Sequence, residues 1–307
     1  MKLLKGIALA LIFCLMVTCA HAEIVSIPWE QEVMPEVNES YYLSDTEYED
    51  PSLHITIEEG IYNGTCYLVA RIKIADPTQF RAYVTSARNL NKYPTKYGTE
   101  LAQYVNAVLA ISGDVTNLDK TRAGTKNGKH ITRNFETWLT NAKADKNGKG
   151  ILDILIVDTN ADLTIIPQCT EADIDAFPGT ILSTYSFGPG LVINGEQVTD
   201  YSTYGMNYGA KKRAQRICIG QTGPLEYIAV YSAGPDQKTP EGKKCKGLTI
   251  MEFADLVYAQ GDVINAYNLD GGTSTWMVFH NERLNVFGDK KKNAIADIIY
   301  FSSAWQE

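Results

Sequence analysis

The densest chemistry in the sequence lies in Asn268-Leu269-Asp270-Gly271-Gly272-Thr273-Ser274. A carboxylate, two glycines and two hydroxyls sit between apolar flanks, Val263 to Leu269 and Thr275 to Phe279, that read as short strands. Glycines let backbone N–H groups approach a ligand with no Cβ in the way, and successive N–H groups in such a loop form an anion-binding concavity. Asp270, at the rim, can bind a metal, take a proton or hold a sugar hydroxyl. The competing interpretation is a β-hairpin whose Asp-Gly pair is only a turn. Ser112-Gly113-Asp114 is a similar loop after the apolar strand Ala107 to Ile111, and two such strands can bring their loops to one sheet edge. Taken alone, Asp114 reads as structural. Lys211-Lys212-Arg213-Ala214-Gln215-Arg216 is the one dense basic patch; it is either a solvated face or an anion clamp, because an arginine fork matches phosphate oxygens.

The elements that must hold these residues are legible in part. Thr249-Ile250-Met251-Glu252 has capping-box spacing, Phe253, Ala254, Leu256, Val257 and Tyr258 follow at helical spacing, and Gly261 is placed to stop the helix. The predicted unit is helix, tight turn, buried strand, Gly-rich loop, strand. Upstream, Leu53 to Ile57 and Cys66 to Ile74 alternate around Tyr62-Asn63-Gly64-Thr65, which predicts a hairpin. Further strands are expected at Phe80 to Ser86, Lys129 to Thr132, Thr137 to Leu139, Ile151 to Val157, Asp162 to Ile166, Leu191 to Ile193, Ile217 to Ile219 and Glu226 to Tyr231. Short helices are expected at Thr99 to Val105 and, behind a Thr170 cap, Glu171 to Phe177. The fold class expected is α+β or mixed α/β: a single domain over 53–307 with a mixed sheet built largely from hairpins and flanked by a few helices.

Residues 1–22 carry Lys2 and Lys5, the apolar run Ile7 to Val17 and a closing Ala20-His21-Ala22, the pattern of an export signal too short for a permanent membrane span. Residues 23–52 read as an extended acidic lead-in. The 307-residue chain has a net charge of −8; the signal holds two of its 28 basic residues and none of its 36 acidic ones, so the exported form stands at −10. That charge argues against a nucleic-acid partner, while a short anion in a local pocket remains compatible. Four cysteines stay after the signal, Cys66, Cys169, Cys218 and Cys245; three pairings are open and C-x-x-C spacing is absent. Asp145 to Gly150 is similar to a calcium loop but lacks its terminal Glu, and reads as a turn.

In order along the chain, Ala110-Ile111-Ser112-Gly113-Asp114, Phe187-Gly188-Pro189-Gly190-Leu191-Val192 with Asn194-Gly195, Arg213 to Gly220, and Gly247-Leu248-Thr249 through Asn268 to Ser274 resemble the phosphodiester glycosidase family. The resemblance implies an exported hydrolase that cleaves a sugar-1-phosphate diester, on a glycan or glycolipid, at the glycosidic C1–O bond. It implies Arg213 or Arg216 and the Gly271 and Gly272 amides on the phosphate. Asp270 is then base, nucleophile or metal ligand, with Asp114 facing it, and Asn268, Thr273 and Ser274 hold loop or substrate. A divalent cation such as Ca²⁺ suits an exported carboxylate-rich site, although no ligand cluster in the sequence demands one. Two departures bear on activity: the family shows a third Gly where Thr273 stands, and Asn and Gly where Ser112 and Asp114 stand. A φ above zero at Thr273 would be strained. The rivals are a non-catalytic phosphoglycan-binding module with Tyr204, Tyr208 and Trp276 facing the sugar, and a phosphodiesterase that cleaves P–O.

Overall fold

Alternation along the strands sets the layers of this computed structural model, which describes residues 22–85, 95–114, 129–133, 135–140, 153–201, 211–287 and 292–307. In the strand Glu226–Ser232, Tyr227, Ala229 and Tyr231 point into one core while Ile228 and Val230 point into another. In Asp297–Phe301, Ile299 and Phe301 join that first core, and Ile298 and Tyr300 join a third. Successive side chains of a strand face opposite ways, so each sheet must be covered on both faces.

Two antiparallel sheets supply the shared core. The larger has nine strands in the spatial order Glu196–Gln197, Gly190–Ile193, Asn265–Asn268, Arg216–Gly223, Glu226–Ser232, Thr65–Ile74, Leu53–Tyr62, Glu47–Glu49, Tyr42–Ser44. The second has five, in the order Glu282–Arg283, Met277–Phe279, Leu109–Ser112, Asp297–Phe301, Phe80–Val84. A three-stranded sheet, Leu163–Ile166, Ile154–Asp158 and Ile181–Tyr185, adds Leu155, Val157 and Leu163 to the same core. Three helices are described: α1, Gly98–Tyr104; α2, Glu171–Asp175; and α3, Ile250–Tyr258. On the outer face of the large sheet α3 packs Ile250, Phe253, Ala254, Leu256 and Val257 against Val69, Cys218, Ile228 and Val230. On the outer face of the second sheet α1 packs Leu101 and Ala102 against Ala110, Val278 and Ile298. Each large apolar side chain so buried contributes about 1.5–3 kcal/mol.

The expected α+β or mixed α/β class is therefore corrected. Strands make up 42% of the described residues and helices 13%, and the architecture is mostly β in several sheets. Every strand pair described is antiparallel. A parallel neighbour needs a long crossover, usually a helix; here α1 and α3 lie as covers on the outer faces. The hairpin at Asn63-Gly64 forms with both residues at positive φ (48° and 71°), as a two-residue turn requires. Structure also reaches further toward the N-terminus than the alternation beginning at Leu53: Tyr42–Ser44 and Glu47–Glu49 extend the large sheet, and Ile27, Met34 and Tyr48 are buried. No helix among the described residues is long and apolar enough to cross a membrane. Residues 1–21 and 141–152 lie outside the described residues, and with them all but the last residue of the export signal and the whole calcium-like turn.

Candidate functional site

The loop after Asn265–Asn268 is not a hairpin, because the next strand, Met277–Phe279, belongs to the other sheet. Residues 270–276 cross between the sheets and touch both. Asp270 N–H donates to Gly113 O at 3.2 Å, on the side of the second sheet, and Gly272 N–H donates to Gln215 O at 3.0 Å, on the side of the large one. The two Gly-containing strand-end loops meet at one edge, as their similarity suggests. Gly271 passes so close to the large sheet that a Cβ there would lie 2.8 Å from Gln215 O. Gly272 carries the positive φ of the turn, 65°, and Thr273 is not among the residues at positive φ. The turn thus differs from one that needs a third glycine, and Thr273 and Ser274 continue from Gly272 as a single 3-10 turn without that strain. Ser112, the other departure, accepts Trp276 N–H at 3.1 Å through its hydroxyl and so ties the far end of the loop to its strand.

Asp114 is 2% exposed and accepts Ser186 N–H at 2.9 Å and Ser186 Oγ–H at 3.2 Å. Its own N–H donates to Asp297 Oδ2 at 3.2 Å. Asp297 is buried too, and a side chain at Gly113 would collide with it, at 2.6 Å from Oδ2. Asp270, by contrast, is half-buried and reaches solvent. Of the two carboxylates read from the sequence, one sits in a closed network and one at an open rim.

Asn268 pairs across the sheet with Cys218, so by alternation its side chain and that of Arg216 share the outer face of the large sheet. Asn268 Nδ2 donates to Gly188 O at 2.8 Å, and its N–H to Pro189 O at 3.0 Å. This fixes the Gly188-Pro189 loop, whose peptide is cis, against the strand that leads into the 270–276 loop. The buried Asp153 holds the same loop by accepting Gly190 N–H at 2.8 Å. Asn268 Oδ1 is buried and has no hydrogen-bond partner among the described residues. A lone buried acceptor costs about 1–3 kcal/mol, which a ligand donor would recover.

The two arginines part company. Arg216 is 6% exposed, donates Nε to Leu248 O at 2.9 Å and Nη2 to Lys212 O at 2.8 Å, and burial pulls its pKa down to about 10, so it stays a cation at neutral pH. Arg213 is exposed; it donates Nη1 to Gly247 O at 2.8 Å and pairs with Glu252 at 2.7 Å, at the N-terminus of α3.

Beneath the Gly-Gly turn lies a network that the sequence reading did not find. Lys292, 7% exposed, donates Nζ to Gln215 Oε1 at 2.6 Å and to Thr275 Oγ1 at 3.2 Å. The Gln215 amide donates to Asp236 Oδ2 at 3.0 Å, and the Thr275 hydroxyl donates to Gly272 O at 2.7 Å. Lys292 closes a run of lysines, a pattern that reads as solvated; only the fold turns its last member inward. Ser274 is buried, with Oγ at 3.5 Å from Asn293 Nδ2, and belongs to this supporting layer.

Trp276 is not a sugar platform: it is 5% exposed in the α1 core, its Nε1 donates to Asn293 O at 2.9 Å, and its ring fills the space over Gly98. Tyr204 and Tyr208 lie outside the described residues. Among the described residues, the one group of three ligand-type side chains close enough to share an ion is Glu47, Glu49 and His54, toward the opposite end of the large sheet.

Comparison with known proteins gives the same direction. The profile of the phosphodiester glycosidase family matches residues 105–302. The zebrafish N-acetylglucosamine-1-phosphodiester alpha-N-acetylglucosaminidase catalytic domain, auto-inhibited by its pro-peptide, shares the fold with a TM-score of 0.60 at 16% identity, over 83% of this chain and 84% of that one. A hypothetical protein from Synechocystis matches with a TM-score of 0.50 at 16% identity, over 81% of this chain and 62% of its own. No curated protein matches the sequence. With the family profile spanning both strand-end loops and the bridge between the sheets, the chain belongs to the phosphodiester glycosidase family.

Proposed function

We propose that the chain is an exported hydrolase that cleaves a sugar-1-phosphate diester, carried on a glycan or glycolipid, between the anomeric carbon and its oxygen. The observation that carries this reading is the meeting of the two strand-end loops, with Asp270 held at an open rim by the Gly113 carbonyl and Gly271 pressed against Gln215. The bond named in the zebrafish neighbour, a sugar-1-phosphodiester, is the substrate class that such a site would take.

In this reading Asp270 acts on the anomeric carbon, as nucleophile or as base for water, and Asp114 stands behind it in the Ser186 network. A phosphate oxygen is a good leaving group, so the demand on a general acid is small. Arg216, on the same face as Asn268, supplies the positive charge for the phosphate; Arg213 secures α3 and lends its field. The Gly272 amide is already given to Gln215, which leaves the Gly271 amide for the anion. Asn268 Oδ1 accepts a substrate hydroxyl. A divalent cation such as Ca²⁺ remains part of the proposal, with the Asp270 carboxylate as one of its ligands.

The test is a panel of sugar-1-phosphodiesters with identification of both products. Free sugar plus a phosphomonoester is expected. Sugar-1-phosphate plus an alcohol would make the protein a P–O phosphodiesterase, and binding without turnover would make it a phosphoglycan-binding module.

A further inference from the structure

Cys66 lies in the strand Thr65–Ile74, and Cys245 in the connection that leads to α3. The chain segments that carry them run side by side. Lys246 N–H donates to Gly64 O at 3.1 Å, and Ala233 N–H donates to Cys66 O at 2.8 Å. Cys245 N–H donates to Gln237 O at 2.9 Å, which fixes the second segment. Both cysteines are buried in the same cluster of the core between the sheets, close enough for Cys245 to act on the Cys66 thiol. The other two lie elsewhere: Cys218 faces α3 on the outer side of the large sheet, and Cys169 packs with Ile154, Ile156 and Ile174.

We infer that Cys66 and Cys245 close a disulfide when the chain folds in an oxidising compartment, while Cys169 and Cys218 remain thiols. Four cysteines allow three pairings, and this is the one whose members share a buried cluster on adjacent chain segments, Cys218 and Cys169 each lying in a different cluster. All four are thiols in this structure. Closure forms one S–S bond and removes two S–H bonds; the two electrons and two protons pass to a disulfide donor, whose own disulfide becomes two thiols. Burial, reinforced by the neighbouring Cys245, raises the Cys66 thiol to about 12. Little thiolate therefore exists in the folded protein at neutral pH, so the bond forms before the sheets close over it; once closed it lies in the buried core, out of reach of an exchanging thiolate. The cross-link would staple a central strand to the connection whose Gly247 and Leu248 carbonyls hold Arg213 and Arg216. It constrains the anion-binding side of the site, and it stands whether or not the proposed activity does.

The chain is directed into an oxidising compartment, and residues 23–307, freed of the export signal with its Cys14 and Cys19, are denatured without reductant in the presence of an alkylating reagent, after which mass and peptides are measured. Two alkyl groups are expected, on Cys169 and Cys218, with a linked peptide that joins Cys66 to Cys245. A Cys66→Ser variant should take up three, and a Cys169→Ala/Cys218→Ala variant none. Four alkyl groups on the wild-type chain, or a link that includes Cys169 or Cys218, overturns the inference.

Discussion

Asp270→Asn keeps the size and backbone preference of the side chain and removes its charge. The backbone N–H still reaches Gly113 O, so the variant should melt as the wild type does and lose at least about a hundredfold in turnover, the scale of a removed acid, base or nucleophile. Wild-type turnover would return Asp270 to the status of a loop residue. Gly271→Ala tests the geometry instead of the charge. Its Cβ would sit 2.8 Å from a backbone oxygen that cannot swing away, so the loop must shift, and kcat/KM should fall by roughly 10–100-fold with a smaller change in Tm. Unchanged kcat/KM would show that the position of the loop does not matter. At this scale the sequence was informative where a residue type announces its own constraint, as Asp270 and Gly271 do. It was silent on Lys292, Gln215 and Asp297, whose roles arise from segments remote in sequence that approach only in the fold. It misplaced Trp276, because an aromatic beside a functional loop looks the same whether it faces sugar or core.

The unit that presents the loop from the large sheet begins with α3. Thr249 Oγ1 accepts Glu252 N–H at 3.2 Å and Glu252 Oε2 accepts Thr249 N–H at 2.9 Å, the reciprocal cap read from the spacing. Thr249→Ala should cost about 1 kcal/mol, or roughly 2–4 °C in Tm, with little change in kcat/KM. Burial works against the Glu252 carboxylate, but the Thr249 amide and Arg213 outweigh it and hold its pKa below the ordinary value. A lowered folded pKa means stability that is present above the unfolded value, about 4.3, and lost as pH falls through the folded one. Thermal melts should therefore show Glu252→Gln narrowing the loss of stability below about pH 4.5, and parallel acid profiles for the two proteins would refute this. The capped helix, its Gly261 stop and the Asn63-Gly64 hairpin were legible because each rests on local chemistry. The fold class was not. Cap signals are conspicuous in sequence while pairing beyond a hairpin is non-local, so three short helices outweighed their true share and a sheet expected to be mixed is antiparallel throughout the described pairs.

At the scale of the molecule, two antiparallel sheets bring strand ends from distant parts of the chain to one edge, where the 270–276 loop crosses between them. The family resemblance was legible because its motifs, the two strand-end loops among them, are short contiguous stretches that can be read without knowing the sheet pairing. The claim that unites the scales is cleavage at the sugar side of the diester. Its most direct test is hydrolysis of a sugar-1-phosphodiester in ¹⁸O-labelled water, with mass analysis of the phosphate product. The expected result is a phosphomonoester free of label, because water attacks carbon; label in the phosphate product would contradict it, placing the attack on phosphorus.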